Sequence, residues 1–165
     1  IVRLVVNEVS ARSGNFSCWT GHNSVFDVPY GFTTEHLSDI VHDETHELAG
    51  TGILLRRSGV GITTTDERIF LKNICQLVAG RSARMVAMCI AATTFYIDPH
   101  LNNQHVVAVD GSLFRGYPGY QERVQAGLNE MLGDSSAERV QVSYVRDGSG
   151  IGAAIIAAVA GAVGS

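Results

Sequence analysis

Lysine is nearly absent from this sequence, since Lys72 is the only one and the other basic residues are arginines that form no run. There are 16 acidic and 12 basic residues, so the formal net charge is −4. Surfaces that follow nucleic-acid phosphates carry a basic patch or stripe, and the composition therefore argues against a DNA- or RNA-binding protein. Charged residues make up 17% and hydrophobic residues 45% of the chain, which is typical of a globular domain and not of a disordered segment.

Cysteine is also scarce, with three residues at Cys18, Cys75 and Cys89. The number is odd and no C-x-x-C pair occurs, which argues against a disulfide framework and against a structural zinc site. The sequence predicts buried, reduced thiols in a cytoplasmic protein, with no metal centre. His42 and His46 have the i, i+4 spacing of two ligands on a helix, but no third ligand accompanies them, and a solvated helix face is the simpler interpretation.

The first residues lack a helix start signal. Ile1, Leu4 and Val5 already have helical spacing and share one face, yet no capping residue precedes them. We therefore expect a chain cut inside a helix, that is, a piece of a longer protein. No signal peptide is visible. The uncharged tail from Gly148 onward is too short for a membrane span, which needs about 20 strongly apolar residues. We predict a helix packed inside the protein, and no membrane partner.

Capping patterns predict the elements of the first half. Thr33 or Thr34 caps a short helix in FTTEHLSDIVHDE, and another helix follows in HELAGTGILLRR. The pair Thr64 and Glu67 forms a capping box before a long apolar run that extends to about residue 97. Alanine and glycine recur along that run, which favours close packing against a neighbour.

The second half alternates helices with strands. HVVAVDG and ERVQVSYV are predicted strands, Pro118 opens the helix between them, and a glycine loop with an apolar helix closes the chain. This order indicates an α/β protein with right-handed crossovers. The strands should be adjacent and parallel, so that the loops at Gly111 and Gly148 open on the same edge, where α/β proteins gather ligands.

Those two loops have similar composition, with Asp110-Gly111 after the first strand and Asp147-Gly148 after the second. A dinucleotide fingerprint is excluded because the glycines at 148, 150 and 152 are one residue too closely spaced, and no Gly-Lys-Ser/Thr phosphate loop is present. Glycine permits close approach of a nucleotide to the backbone. A tight strand-to-helix turn with glycines for close packing is the alternative from composition alone.

Four segments together resemble the C-terminal part of the hexokinases. They are, in family order, IVRLVV (1–6), ICQLVAGRSARMVAMCIAA (74–92), VAVDGSLFRGYPGYQERV (107–124) and DGSGIGAAIIAAVA (147–160), whereas residues 15–30 match poorly. The resemblance implies an α/β chain, part of the large lobe of an actin-like (ribonuclease H-like) ATPase fold, with helices packed on a short mixed sheet. Residues 1–165 would be the C-terminal fragment, without an internal boundary.

The resemblance also implies a nucleotide site without catalytic residues. The family's catalytic aspartate, its sugar ligands and its first phosphate loop would precede Ile1, and Asp110 and Asp147 are better interpreted as turn residues that bond local backbone amides. The family often has a basic residue where this chain has Ile151. The implied nucleotide-binding residues are Thr34, Ser38, Gly111, Ser112, Leu113, Phe114, Arg115, Gly116 and Gly148.

The intact protein would then use ATP with Mg²⁺ to phosphorylate a hexose, with most of the hexose site outside this fragment. The fragment alone would be inactive. A non-catalytic nucleotide-binding or regulatory module of the same fold is the alternative, and formation of a homo-oligomer stays open.

Overall fold

The structure, a computed structural model, describes residues 1–13, 19 and 23–163. It divides into two compact units, Ile1–Arg81 and Ser82–Ser165, and the division falls within the longest helix. In chain order the elements are α1 (Val2–Ser13), α2 (Thr34–Val41), a 3-10 turn (His46–Leu48), α3 (Ala49–Arg57), α4 (Thr65–Ile97), β1 (His105–Val109), α5 (Ser112–Gly116), α6 (Tyr120–Leu132), α7 (Asp134–Ala137), β2 (Val140–Tyr144) and α8 (Gly148–Val163).

The second unit contains the predicted α/β arrangement. Strands β1 and β2 pair in parallel, with His105 opposite Val140 and Val109 opposite Tyr144. Helices α5, α6 and α7 connect them, as a parallel pair requires a crossover. The prediction of adjacent parallel strands is confirmed. Side chains of α5, α6 and β2 that are 5% exposed or less form the core of this unit: Phe114, Tyr120, Val124, Leu128 and Val140.

The buried face of α1 is not the face that Ile1, Leu4 and Val5 share. Val2 and Val6 are buried, whereas Ile1 and Leu4 are 65% and 60% exposed. Because apolar residues occupy most of the first six positions, helical spacing fits two adjacent stripes about equally well. Contact with the loop selects between them, since the side chain of Asn7 donates a hydrogen bond to the Phe26 carbonyl at 3.0 Å.

Helix α4 begins at the predicted capping box. The Thr64 amide donates to a Glu67 carboxylate oxygen at 2.7 Å, and the Glu67 amide donates to the Thr64 hydroxyl at 3.3 Å. By length and composition, α4 is the one helix among the described residues that is able to cross a membrane, but the core helix of a soluble protein has the same character. Four of its alanines are buried, Ala79, Ala83, Ala87 and Ala91, whereas Gly80 is half-buried and a Cβ added there would meet open space.

Residues 148–160 of helix α8 are largely exposed in this chain, whereas the composition predicted a helix packed inside the protein. Ile151, Ile155, Ile156 and Val159 are between 52% and 71% exposed. An all-apolar helix normally lies in a core, but the contacts of α8 described below lie in its first turn, beside the ends of β1 and β2. Composition indicates that a helix suits burial, and only the neighbouring elements decide whether burial occurs.

The thiols differ from one another. Cys75 is buried, as predicted, and burial raises the pKa of its thiol to about 12. Cys89 is exposed on the same helix, which corrects the prediction for that residue. Cys18 lies outside the described residues. The prediction was wrong for Cys89 because an apolar helix still has one solvent-facing side, and periodicity did not identify that side in α4.

Candidate functional site

The glycine loops after β1 and β2 lie at one edge of the sheet. Because the two strands are parallel and in register, Asp110 and Val145 follow corresponding positions, Val109 and Tyr144. The ladder continues one step further, since the Val145 amide donates to the Val109 carbonyl at 3.0 Å. The loops that begin at Asp110 and at Arg146 therefore leave the sheet side by side, at the edge where α/β proteins bind ligands.

The backbone at both ends of helix α5 borders open space. Gly111 precedes it with φ of 177°, which is extended backbone. A Cβ built on Gly111 or on Gly116 would meet no protein atom within 4 Å. The protein itself therefore does not require glycine at these two positions, and the open space beside them is available to a ligand.

Phe114 anchors α5 to the core of the second unit. Its side chain is 5% exposed and meets the ring of Tyr120 edge to face, with 6.3 Å between ring centroids. Ser112, Leu113 and Arg115 are exposed on the same short helix. Of the candidate residues in α5, these three present their side chains to solvent, while Phe114 holds the helix in place.

Asp110 connects the two loops directly. Its Oδ2 accepts hydrogen bonds from both the amide and the hydroxyl of Ser149, each at 3.2 Å. A Cβ built on Gly148 would lie 3.6 Å from the Asp110 Cβ, in ordinary contact. The expected local turn role is therefore wrong for Asp110, whose partner lies 39 residues away. The backbone carbonyl of Asp147 accepts from the Ile151 amide at 2.9 Å, and the turn role of its side chain stays a prediction.

In the first unit, an aromatic column holds the start of α2. Trp19 stacks on Phe26 at 5.4 Å, and Phe26 stacks on Phe32 at 5.3 Å. The imidazole of His36 follows, 5.7 Å from the Phe32 ring. His36 also accepts a hydrogen bond from the Thr33 amide at 3.1 Å and donates its own amide to the Thr33 hydroxyl at 3.3 Å, which completes a capping box.

Asp43 holds the other end of α2 to α3. It follows the helix and is only 8% exposed. Its carboxylate accepts from the amide and hydroxyl of Thr45 at 3.0 and 2.5 Å, and from those of Thr51 at 2.5 and 2.6 Å. Lys72 donates to the Asp43 carbonyl at 2.8 Å. Both ends of α2 are therefore constrained by side chains from other segments.

The candidate residues form two groups, one in each unit. Thr34 and Ser38 lie one turn apart on α2, with Thr34 exposed and Ser38 half-buried. Thr34 lines a cavity of about 450 Å³ together with Phe32 and Leu37. In the second unit the structure brings together the remaining candidates, at the loop pair and α5: Gly111, Ser112, Leu113, Phe114, Arg115, Gly116 and Gly148.

The described aspartates with perturbed pKa values are structural. Burial alone would raise the pKa of Asp43, but hydrogen bonds from Thr45 and Thr51 outweigh it and lower the value to about 2. The hydrogen bond from the Asn103 amide holds the pKa of Asp98 well below its usual range. Burial acts in the opposite direction, and further hydrogen bonds, including one from His105, lower the pKa as well. A general base works best with a pKa near the operating pH, so neither carboxylate is suited to that role.

No group of three or more metal-ligating side chains occurs among residues 1–13, 19 and 23–163. The helical spacing assumed for His42 and His46 is wrong, because α2 ends at Val41 and His46 begins the 3-10 turn. Near the candidate residues this chain offers open space beside Gly111 and Gly116 and the exposed hydroxyl groups of Thr34 and Ser112.

Three features of the site are not apparent from sequence reasoning: the bond from Asp110 to Ser149, the aromatic column and the Asp43 cluster. Only the last has a local signal, since Asp43 and Thr45 have the spacing of an Asx turn. Asp110 and Ser149, and likewise Asp43 and Thr51, are too far apart in sequence for any periodic pattern to connect them.

Comparison with known proteins gives one family. The family model described as Hexokinase matches residues 1–159. Hexokinase-1 of Oryza sativa subsp. japonica is 34% identical over 164 residues, which cover 96% of this chain and 32% of that protein. Hexokinase-1 of Saccharomyces cerevisiae is 32% identical over 137 residues, 79% of this chain and 27% of that protein.

A solved structure has the same fold. A crystal structure of hexokinase aligns with a TM-score of 0.71 and 22% identity, covering 90% of this chain and 32% of the solved one. This chain therefore spans about a third of the length of the relatives it matches.

Proposed function

The chain belongs to the hexokinase family, and from this we propose that it is the adenosine-binding, C-terminal portion of an ATP-dependent hexokinase. The intact enzyme transfers the γ-phosphoryl group of ATP to the 6-hydroxyl of a hexose such as glucose. The bond between the γ-phosphorus and the bridging oxygen breaks, a bond to the sugar oxygen forms, and an aspartate outside this chain takes the hydroxyl proton. Positioning and charge neutralisation supply most of the catalysis in such transfers.

The observation that carries this proposal is the pair of loops at one sheet edge. The in-register strands bring Asp110–Gly116 beside the first turn of α8, and a Cβ on Gly111 or Gly116 would enter open space. A flat, uncharged adenosine can approach such a backbone closely. The exposed residues Ser112, Leu113 and Arg115 would then surround it, and Phe114 would keep α5 in position from below.

Thr34 and Ser38, in the first unit, are proposed to contact ATP through their hydroxyl groups. They lie on a helix that is held at both ends, by the aromatic column and by Asp43. Fixed donors of this kind stabilise developing phosphate charge more effectively than mobile ones. Mg²⁺ would reach this chain with ATP and neutralise its phosphates, because no cluster of ligands occurs among the described residues.

Steady-state kinetics on the full-length gene product that carries this segment test the proposal. We expect turnover of ATP with glucose, measured by coupling formation of the sugar phosphate to a dehydrogenase. The isolated 165-residue chain should give no turnover, because the base and the sugar ligands are missing. Turnover by the isolated chain, with contaminating kinases excluded by a mock purification, would refute this assignment.

Equilibrium binding distinguishes the alternative. If the full-length product binds ATP in calorimetry but phosphorylates no hexose, it is a non-catalytic nucleotide-binding module of the same fold. If it neither binds ATP nor turns over, both versions of the proposal are wrong.

A further inference from the structure

Asp110 occupies an unusual place for a strand-end aspartate. It does not bond the amides of its own turn. Instead its Oδ2 accepts two hydrogen bonds from Ser149, one from the amide in the first turn of α8 and one from the hydroxyl. First-turn amides of a helix have no partner within the helix, so Asp110 satisfies one of them from a different loop.

We propose that Asp110 is a positioning residue for the nucleotide, which fixes the Gly111–Gly116 segment and the Gly148 turn at one separation. This inference rests on the proposed function. The two segments are 32 residues apart at their nearest ends, 116 and 148, and β1 and β2 align only the strands before them. Beyond the strands, the two hydrogen bonds between Asp110 and Ser149 connect the segments.

The same pair determines which part of a nucleotide fits here. A helix N-terminus attracts anions because its first amides are unpaired and its dipole is positive there. In this chain a carboxylate already takes that place. A phosphate beside Ser149 would meet the charge of Asp110 at close range, so the loop pair favours the uncharged adenosine, and the phosphates must lie elsewhere.

Variants of the full-length gene product test this inference by steady-state kinetics. Asp110→Ala removes both hydrogen bonds. The net free energy of one such bond corresponds to a change of a few-fold in an equilibrium constant, so the KM for ATP should rise about three- to tenfold. The kcat and the KM for hexose should change less than about twofold, because the pair does not touch the reacting atoms. Asp110→Asn keeps an acceptor oxygen and should restore part of the ATP affinity.

A double-mutant cycle identifies the partner. Ser149→Ala should raise the KM for ATP about twofold in the wild-type background and have no effect in the Asp110→Ala background, because its partner is then already absent. Asp134→Ala is the matched control, an exposed carboxylate of the same unit that lies on α7. It should leave the KM for ATP unchanged. Melting temperatures separate loss of folding from loss of nucleotide binding.

The results of these variants test the positioning role of Asp110, the placement of adenosine and the kinase assignment separately. Additive effects of Asp110→Ala and Ser149→Ala, or equal losses of ATP and hexose affinity, would overturn the positioning role while leaving the kinase assignment intact. A lower KM for ATP in Asp110→Asn would mean that phosphates lie beside Ser149, and it would overturn the placement of adenosine. A wild-type protein without ATP binding or turnover would remove the proposed function and this inference with it.

Discussion

Replacing Asp43 by asparagine tests how firmly α2 is held in the first unit. The carboxylate accepts four hydrogen bonds, two from Thr45 and two from Thr51. The Asp43→Asn side chain has nearly the same shape, but its NH₂ group would point at donors where the carboxylate had an acceptor. Since Thr51 is only 2% exposed, its donors cannot turn to water without opening the contact between α2 and α3.

The pKa of Asp43 gives the size of the stability change expected for Asp43→Asn. Burial opposes ionisation, but the hydrogen bonds from Thr45 and Thr51 outweigh it and lower the pKa from 3.8 to about 2. This difference means that the ionised carboxylate stabilises the folded state by about 2 kcal/mol relative to the protonated acid. We expect Asp43→Asn to lower the free energy of unfolding by about 2 to 3 kcal/mol at neutral pH, because donors also lose their partners.

The pH dependence follows from the direction of the shift. The folded-state pKa is depressed, so the stabilisation is fully present above the unfolded value of 3.8 and is lost as the pH falls towards about 2. The wild-type chain should therefore lose its advantage over Asp43→Asn across that interval. At higher pH the difference in unfolding free energy between the two proteins should stay constant.

Urea unfolding followed by circular dichroism measures these free energies. The control is Asp39→Asn, which removes the same charge from an exposed residue of α2, and it should change stability by less than about 0.5 kcal/mol. Equal stability of Asp43→Asn and Asp39→Asn at neutral pH would contradict a structural role of Asp43. So would a difference in unfolding free energy between wild type and Asp43→Asn that does not narrow in acid.

Three further variants or reactions test other parts of the structure. Gly111→Ala should raise the KM for ATP of the full-length product without a change in unfolding free energy, because the added Cβ meets only open space in the protein. Gly80→Ala, also in open space but remote from the loops, should leave the KM for ATP unchanged. Equal effects of the two variants on the KM for ATP would contradict the proposed site. Gly127→Ala should destabilise the chain by about 1 to 3 kcal/mol in urea, because its Cβ would lie 2.9 Å from a side-chain carbon of α4, and wild-type stability would show that the packing of α6 on α4 is looser than described. Iodoacetamide should modify Cys89 and spare Cys75 in the native chain, as mapped by peptide mass, since the latter thiol is buried with a pKa of about 12; modification of both at equal rates would be inconsistent with this burial.

The sequence by itself determined the local elements and the family. Local signals predicted a helix start at Thr33 or Thr34, the capping box at Thr64, the strands before Asp110 and Arg146, and a helix after each glycine loop. Each signal depends on residues within about four positions of each other. Such signals act through backbone conformation and hydrogen bonds within a turn, which the chain carries wherever it folds. The resemblance to hexokinases depended on the same segments, because the glycine loops and their flanking residues are contiguous in sequence.

Only the tertiary structure decided which residues meet across the chain. It assigned Asp110 to Ser149 and Asp43 to Thr51, and it left α8 exposed although its composition suits a core. Val2 is buried and Ile1 is exposed, which the sequence pattern did not determine. These outcomes depend on distances between elements, and a partner many residues away contributes no periodic signal to the segment it meets. The apolar pattern states how much surface a helix can bury, while the elements packed against it determine which side is buried.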